Sequence, residues 1–126
     1  MPRAAVLVIE EGAEASLVCA ALALRPELTV LDAPDVAAAL ERLERSRSPV
    51  VLAIAGTAAL SASPRELVQG LQARGIPVVG VAVGLDPGAR KRALAAGVRE
   101  IHDRPSGWRP YAELIGALVA RFVPAA

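Results

Sequence analysis

Cysteine, histidine and aromatic side chains are scarce in this chain, and each scarcity removes a class of chemistry. The 126 residues contain one cysteine, Cys19, and one histidine, His102. A lone cysteine excludes an internal disulfide framework, and its place in an apolar helical pattern makes it a packed thiol. His102 stands beside Asp103 with no second nitrogen or sulfur ligand nearby, so no metal site is expected. Only Trp108, Tyr111 and Phe122 are aromatic, too few to build a stacking platform for a flavin or for bases. Charge of one sign is missing too. Fourteen basic and thirteen acidic side chains leave a formal net charge of +1, which favours neither nucleic acid nor an anionic membrane. No apolar run approaches the roughly 18 residues of a membrane span, although 54% of the chain is apolar. The first residues run from a short apolar stretch straight into Glu10 and Glu11 without a signal-peptide cleavage pattern, so a cytoplasmic location is expected. No serine, cysteine or histidine set converges on one end of the predicted strands, and no enzymatic activity or cofactor is expected.

What is present is a regular alternation. Apolar or mostly apolar runs occupy Ala4 to Ile9, Leu28 to Leu31, Val50 to Ala55 and Val78 to Val83, and a polar fifth spans Val98 to His102. Helical spacing fills the gaps: Ala13, Leu17, Ala21 and Leu24; Val36, Leu40 and Leu43; Leu67, Val68 and Leu71. A last helix from about Pro110 to Phe122 aligns Tyr111, Ile115, Leu118 and Phe122 on one face. Asp35, Ser63-Pro64 and Asp86-Pro87 mark helix starts, and Gly75 and Gly97 mark helix ends. The stretch Thr57 to Ser63 reads as a small-residue loop. Five strands alternating with five helices predict right-handed crossovers and a parallel sheet covered on both faces. Thr29 in the second strand and Arg99, Glu100 and His102 in the fifth assign those two to the edges. The expected architecture is therefore an α/β three-layer sandwich of flavodoxin-like type, with strand order 2-1-3-4-5. One domain is expected over residues 1–123, with 124–126 a tail or the start of a linker.

In such a sheet, ligands bind beyond the carboxyl ends of the strands. Those ends carry Glu10-Glu11, Ile54-Ala55-Gly56-Thr57, Ala82-Val83-Gly84 and Asp103-Arg104-Pro105. With these residues in view, the chain resembles the receiver domain of bacterial response regulators over its whole length. The run VLVIEE is similar to the family's first strand and its magnesium-holding acidic pair. LAAGVREIHDRP is similar to the family's closing stretch, with Arg104-Pro105 where a lysine and a cis-bonded proline normally stand. The departures are specific. Laying SPVVLAIAG on the third strand puts Ile54, or Ala53 with a one-residue slip, at the position of the phospho-accepting aspartate. No carboxylate occurs from Ser46 to Pro64. An apolar side chain offers no oxygen nucleophile, so aspartyl phosphorylation there is excluded. The missing carboxylate also removes a hard ligand that magnesium needs. Ala82 and Ile101 occupy the places of the hydroxyl and the aromatic that relay phosphorylation in the family.

The resemblance implies a degenerate receiver that acts as a phosphorylation-independent protein-interaction module in signalling or transcriptional regulation. Arg104 has a planar fork suited to a carboxylate, and pairing with Glu10 or Glu11 is expected to hold the domain in one state. The resemblance also implies a partner or homodimer surface across the fourth helix, fifth strand and fifth helix, with Arg90, Lys91, Arg92, Arg99, Trp108 and Tyr111 as its residues. Trp108 is expected to be partly exposed, Tyr111 and Phe122 to pack. The competing reading is a small-ligand or flavin binder that cradles phosphate on the backbone amides of Gly56-Thr57 and Ser61-Ala62-Ser63. The acidic loop after strand one opposes it.

Overall fold

The computed structural model describes residues 3–123. The short tail expected at 124–126 lies outside the described residues. Five parallel strands, β1 (Ala5–Ile9), β2 (Thr29–Ala33), β3 (Val50–Ala55), β4 (Val78–Ala82) and β5 (Glu100–Asp103), form one sheet in the order β2-β1-β3-β4-β5. This is the flavodoxin-like receiver fold, with β2 and β5 at the edges as their polar residues required. Five helices join the strands, α1 (Gly12–Leu22), α2 (Val36–Arg45), α3 (Thr57–Ala62), α4 (Pro64–Gln72) and α5 (Pro87–Ala96), and α6 (Trp108–Phe122) follows β5.

Alternation along the strands divides the core between two layers. Leu7, Ile9, Ala53, Ala55 and Val78 face α2, α3, α4 and α5 through Val36, Leu60, Leu67, Leu71 and Ala93. Val6, Val8, Leu52, Ile54 and Val79 face α1 and α6 through Val18, Leu22, Tyr111, Ile115 and Leu118. β1 is buried along its whole length, which is why it reads as an uninterrupted apolar run. The caps follow the sequence: Asp35 accepts the Ala38 amide at 2.8 Å and Asp86 accepts the Ala89 amide at 3.1 Å. Gly97 closes α5 at φ +118°, with Val68 Cγ1 only 2.8 Å from where a Cβ would stand, so both conformation and space require glycine.

Two expectations are corrected. Thr57–Ala62 is a helix rather than a loop, because Ala58, Ala59 and Leu60 are helix formers and Leu60 enters the core completely. The described residues thus form six helices, and the predicted fourth and fifth are α5 and α6. In α1 the buried face is Val18, Ala21 and Leu22, while Leu24 lies beyond the helix end and is 62% exposed.

Candidate functional site

The register places the carboxyl-end crevice. Val8 pairs with Ile54 and Ile9 with Ala55, and the Gly56 amide donates to the Ile9 carbonyl at 3.0 Å. Glu10 therefore leaves β1 directly beside Gly56. Its side chain turns over that glycine: a Cβ built on Gly56 would overlap Glu10 Oε2. Oε1 accepts the Glu11 amide at 3.1 Å. The Glu10 carboxylate thus stands in the volume that any side chain at position 56 would need. Its pKa is raised, first by burial and then by the neighbouring Glu14 and Glu11 charges, while the amides of Glu11 and Thr57 pull the other way.

That direction fixes a pH dependence. A carboxyl whose folded pKa lies above its unfolded value disfavours folding once it ionises, so its contribution is best in acid and is lost as pH rises through the folded pKa. Glu10→Gln is expected to flatten the fall in stability above about pH 4.5, the ordinary glutamate range. Thermal melts of both proteins from pH 4 upward, on the order of one point per pH unit, check it; a steeper fall in the variant contradicts the direction.

Ile54 and Ala53, the residues aligned with an acceptor aspartate, are inside the core at 1% and 0% exposure. Ile54 points to the α1–α6 layer and Ala53 to the opposite one. Neither reaches the crevice. The residue beside Glu10 is Gly56, two residues further along. The fully apolar strand had no internal mark from which sequence alone could fix that register.

The Arg104 pairing is corrected as well. Its Nη1 lies 3.4 Å from Glu14 Oε1, a loose ion pair, and not on Glu10 or Glu11. Glu10 is committed over Gly56, Glu11 is exposed, and Glu14 in the first turn of α1 is the acid turned towards the β5–α6 loop. The described residues contain no cis peptide bond, so Arg104–Pro105 is trans where the resemblance implied cis. Ala82 is buried, and Ile101 is half-buried with its Cγ1 3.2 Å from where a Cβ on Gly80 would stand. Thr57 Oγ1 accepts the Val83 amide at 2.8 Å and tethers the end of β3 to the end of β4. The sequence points to Thr57 as a loop residue and as part of the competing phosphate cradle, and not to this tether.

The donor set does not fit magnesium. Of the two acids ending β1, Glu10 is folded over Gly56 onto the Glu11 amide, and the third strand supplies no oxygen ligand. Asp32, Ser16 and Cys19 line a shallow depression with Glu10 and Glu11, but no three His, Cys, Asp or Glu side chains among the described residues are arranged around an ion. Burial, with Asp32 adding to it, pushes the Cys19 thiol up and away from the reactive thiolate. The proposed phosphate cradle is absent in its expected form: the Gly56 amide donates to the Ile9 carbonyl and the Ser63 amide to the Ala59 carbonyl.

The predicted partner surface divides. Lys91, Arg92 and Arg99 are exposed. Arg90 is held internally, donating to the Ile101 carbonyl at 3.0 Å and pairing with Asp103. Tyr111 is 2% exposed and packs in the core, as its helical spacing predicts, which removes it from the partner surface; burial raises its pKa strongly. Trp108 is 46% exposed as expected, but it lines a groove with Arg25 at the end of α1, away from the α5 arginines. Phe122 is half-buried against the α1–α6 core layer. On the β5 edge, Arg121 forks onto Glu100 at 2.7 and 2.8 Å, and His102 joins at 2.7 Å. These hydrogen bonds, Arg121 first, hold the Glu100 carboxyl down at about 2.

No protein-family model matches the chain, and no curated protein matches it in sequence. Solved structures do. The chain is similar to the phosphorylated cyanobacterial phytochrome response regulator RcpA, with 15% identity, a TM-score of 0.78, and coverage of 100% of this chain and 97% of that one. A response regulator from Hahella chejuensis shares 19% identity at a TM-score of 0.76, covering 96% of each chain. One from Thermotoga maritima shares 16% at 0.68, covering 94% and 98%. At these identities the likeness establishes the fold, and its neighbours are response regulators of signal transduction.

Proposed function

We propose that the chain is a phosphorylation-independent receiver-fold module that binds a protein partner in bacterial signal transduction or transcriptional regulation. The supporting observation is that no carboxylate occurs from Ser46 to Pro64, so β3 and the segment after it bring no phospho-acceptor to the crevice beside Glu10. The crevice also lacks a hydroxyl at Ala82. With neither acceptor nor relay, the module has one state to present. The partner surface is the rim formed by α5, β5 and α6, where Lys91, Arg92 and Arg99 are exposed and Leu94 is 43% exposed. Exposed apolar and charged side chains on one element suit a protein partner. The domain itself catalyses nothing, carries no cofactor and contacts no nucleic acid in this reading. No helix among the described residues is long and apolar enough to cross a membrane.

The test is the amide NMR spectrum with magnesium and beryllofluoride, a phosphoryl mimic. The expected result is no saturable, site-specific shift at Gly56, Gly84 or Arg104. Saturable shifts confined to those amides overturn the proposal.

A further inference from the structure

Arginines line the end of the sheet opposite the crevice. Arg3 stands before β1, Arg47 before β3, Arg74 before β4 and Arg99 before β5, so the four enter adjacent strands in the order of the sheet. Hydrogen bonds align these entries: the Ala5 amide donates to the Pro49 carbonyl at 2.8 Å, the Ala53 amide to the Pro77 carbonyl at 3.0 Å, and the Arg99 amide to the Val78 carbonyl at 2.8 Å. All four arginines are exposed, and none forms an ion pair among the described residues. Arg25, before β2, turns over Gly116 of α6 and leaves the row.

Helix dipoles account for little of this row. Arg74 donates to the Gly70 carbonyl at 2.9 Å and so meets the end of α4. Arg47 and Arg99 lie beyond the Ser46 and Gly97 caps, and no helix among the described residues precedes Arg3. In the segments that lead into the strands, residues 3–4, 23–28, 46–49, 73–77 and 97–99, Glu27 is the one acid. Glu10, Glu11 and Asp103 stand at the other end of the strands. The net charge of +1 thus conceals two ends of opposite sign.

We propose that this basic end of the sheet binds an extended acidic segment of a partner protein, its carboxylates set on successive guanidinium forks. Neighbouring strands lie about 4.8 Å apart, so the row is about 14 Å long and matches about five residues of extended chain. The lead-in segments contain no aromatic side chain on which a base would stack, and no helix or ribbon projects from this end to enter a groove, so the row fits a polypeptide and not a nucleic acid. Leu24, 62% exposed in the segment before β2, adds an apolar contact beside the row. The surface shares only Arg99 with the α5 rim, and it does not depend on the phosphate-independence of the crevice.

Fluorescence anisotropy tests the proposal, with the full chain titrated into a labelled oligoglutamate of about eight residues in about 0.1 M salt, where charges more than about 10 Å away are largely screened. Saturable binding is expected. Arg47→Glu with Arg74→Glu is expected to weaken it about tenfold or more, and the neutral pair Arg47→Gln with Arg74→Gln to weaken it less. Lys91→Glu with Arg92→Glu, on the α5 rim, is expected to change it by less than about threefold. These side chains are exposed, and unchanged circular dichroism verifies the fold of each variant. Absence of saturable binding overturns the proposal. So does an equal loss in the α5 variant, or tighter binding of an oligothymidylate of the same length.

Discussion

Ile54→Asp, the substitution that sequence alignment alone would choose to install a phospho-acceptor, is expected to unfold the protein at neutral pH. Ile54 is 1% exposed within an apolar cluster of Val8, Val79 and Ile115, and no donor stands ready for a carboxylate. Leaving an unpaired charge in such a place costs several kcal/mol, roughly 4 or more, against a total stability on the order of 5–15. The burden lifts in acid, because the buried carboxyl protonates more readily than the unfolded one and the penalty develops only as pH rises. Thermal melts by circular dichroism check both the loss and its sign with pH. Gly56→Asp combined with Glu10→Ala is expected to keep its fold, since the carboxylate then stands in the crevice where Glu10 stood. If Ile54→Asp melts like the wild type, the side-chain directions along β3 are wrong.

Leu60→Ala is the second large effect. Leu60 is fully buried from the six-residue helix α3, and its Cδ1 lies 2.7 Å from where a Cβ on Gly80 would stand. Truncation removes a buried side chain and leaves a cavity, and a loss of about 2–5 kcal/mol is expected in denaturant unfolding. Gly80→Ala alone overfills the same space and is expected to cost about 1–3 kcal/mol. In the Leu60→Ala background its cost is expected to fall, because the added methyl enters the vacated volume. Strict additivity of the two would show that they do not share that space.

The sheet was largely legible because its physics is written in single positions. A parallel strand buried on both faces must be apolar throughout, so β1, β3 and β4 announce themselves, and Thr29, Glu100 and His102 mark the edges. Helix caps at Asp35 and Asp86 were equally plain. α3 was not, since Thr57-Ala-Ala-Leu-Ser-Ala mixes helix formers with the small polar residues of loops, and its two buried residues, Ala59 and Leu60, are adjacent and show no helical spacing within so short a segment. Within the site, the strand ends were legible from topology and the individual roles were not. Uniform apolarity hides register, and only the Gly56 amide on the Ile9 carbonyl shows that position 56 and not 54 faces the acid. Arg104 found Glu14, one helical turn beyond the acidic pair, because the turn of α1 decides which carboxylate faces it.

The close fit of Glu10 over Gly56 has a consequence for the mutational paths open to this chain. A carboxylate gained at position 56 would claim the place of the Glu10 carboxyl end and turn that flexible side chain aside. The two acids would then share the crevice, so the first product of such a change is a crowded acidic pair in which each charge raises the other's pKa.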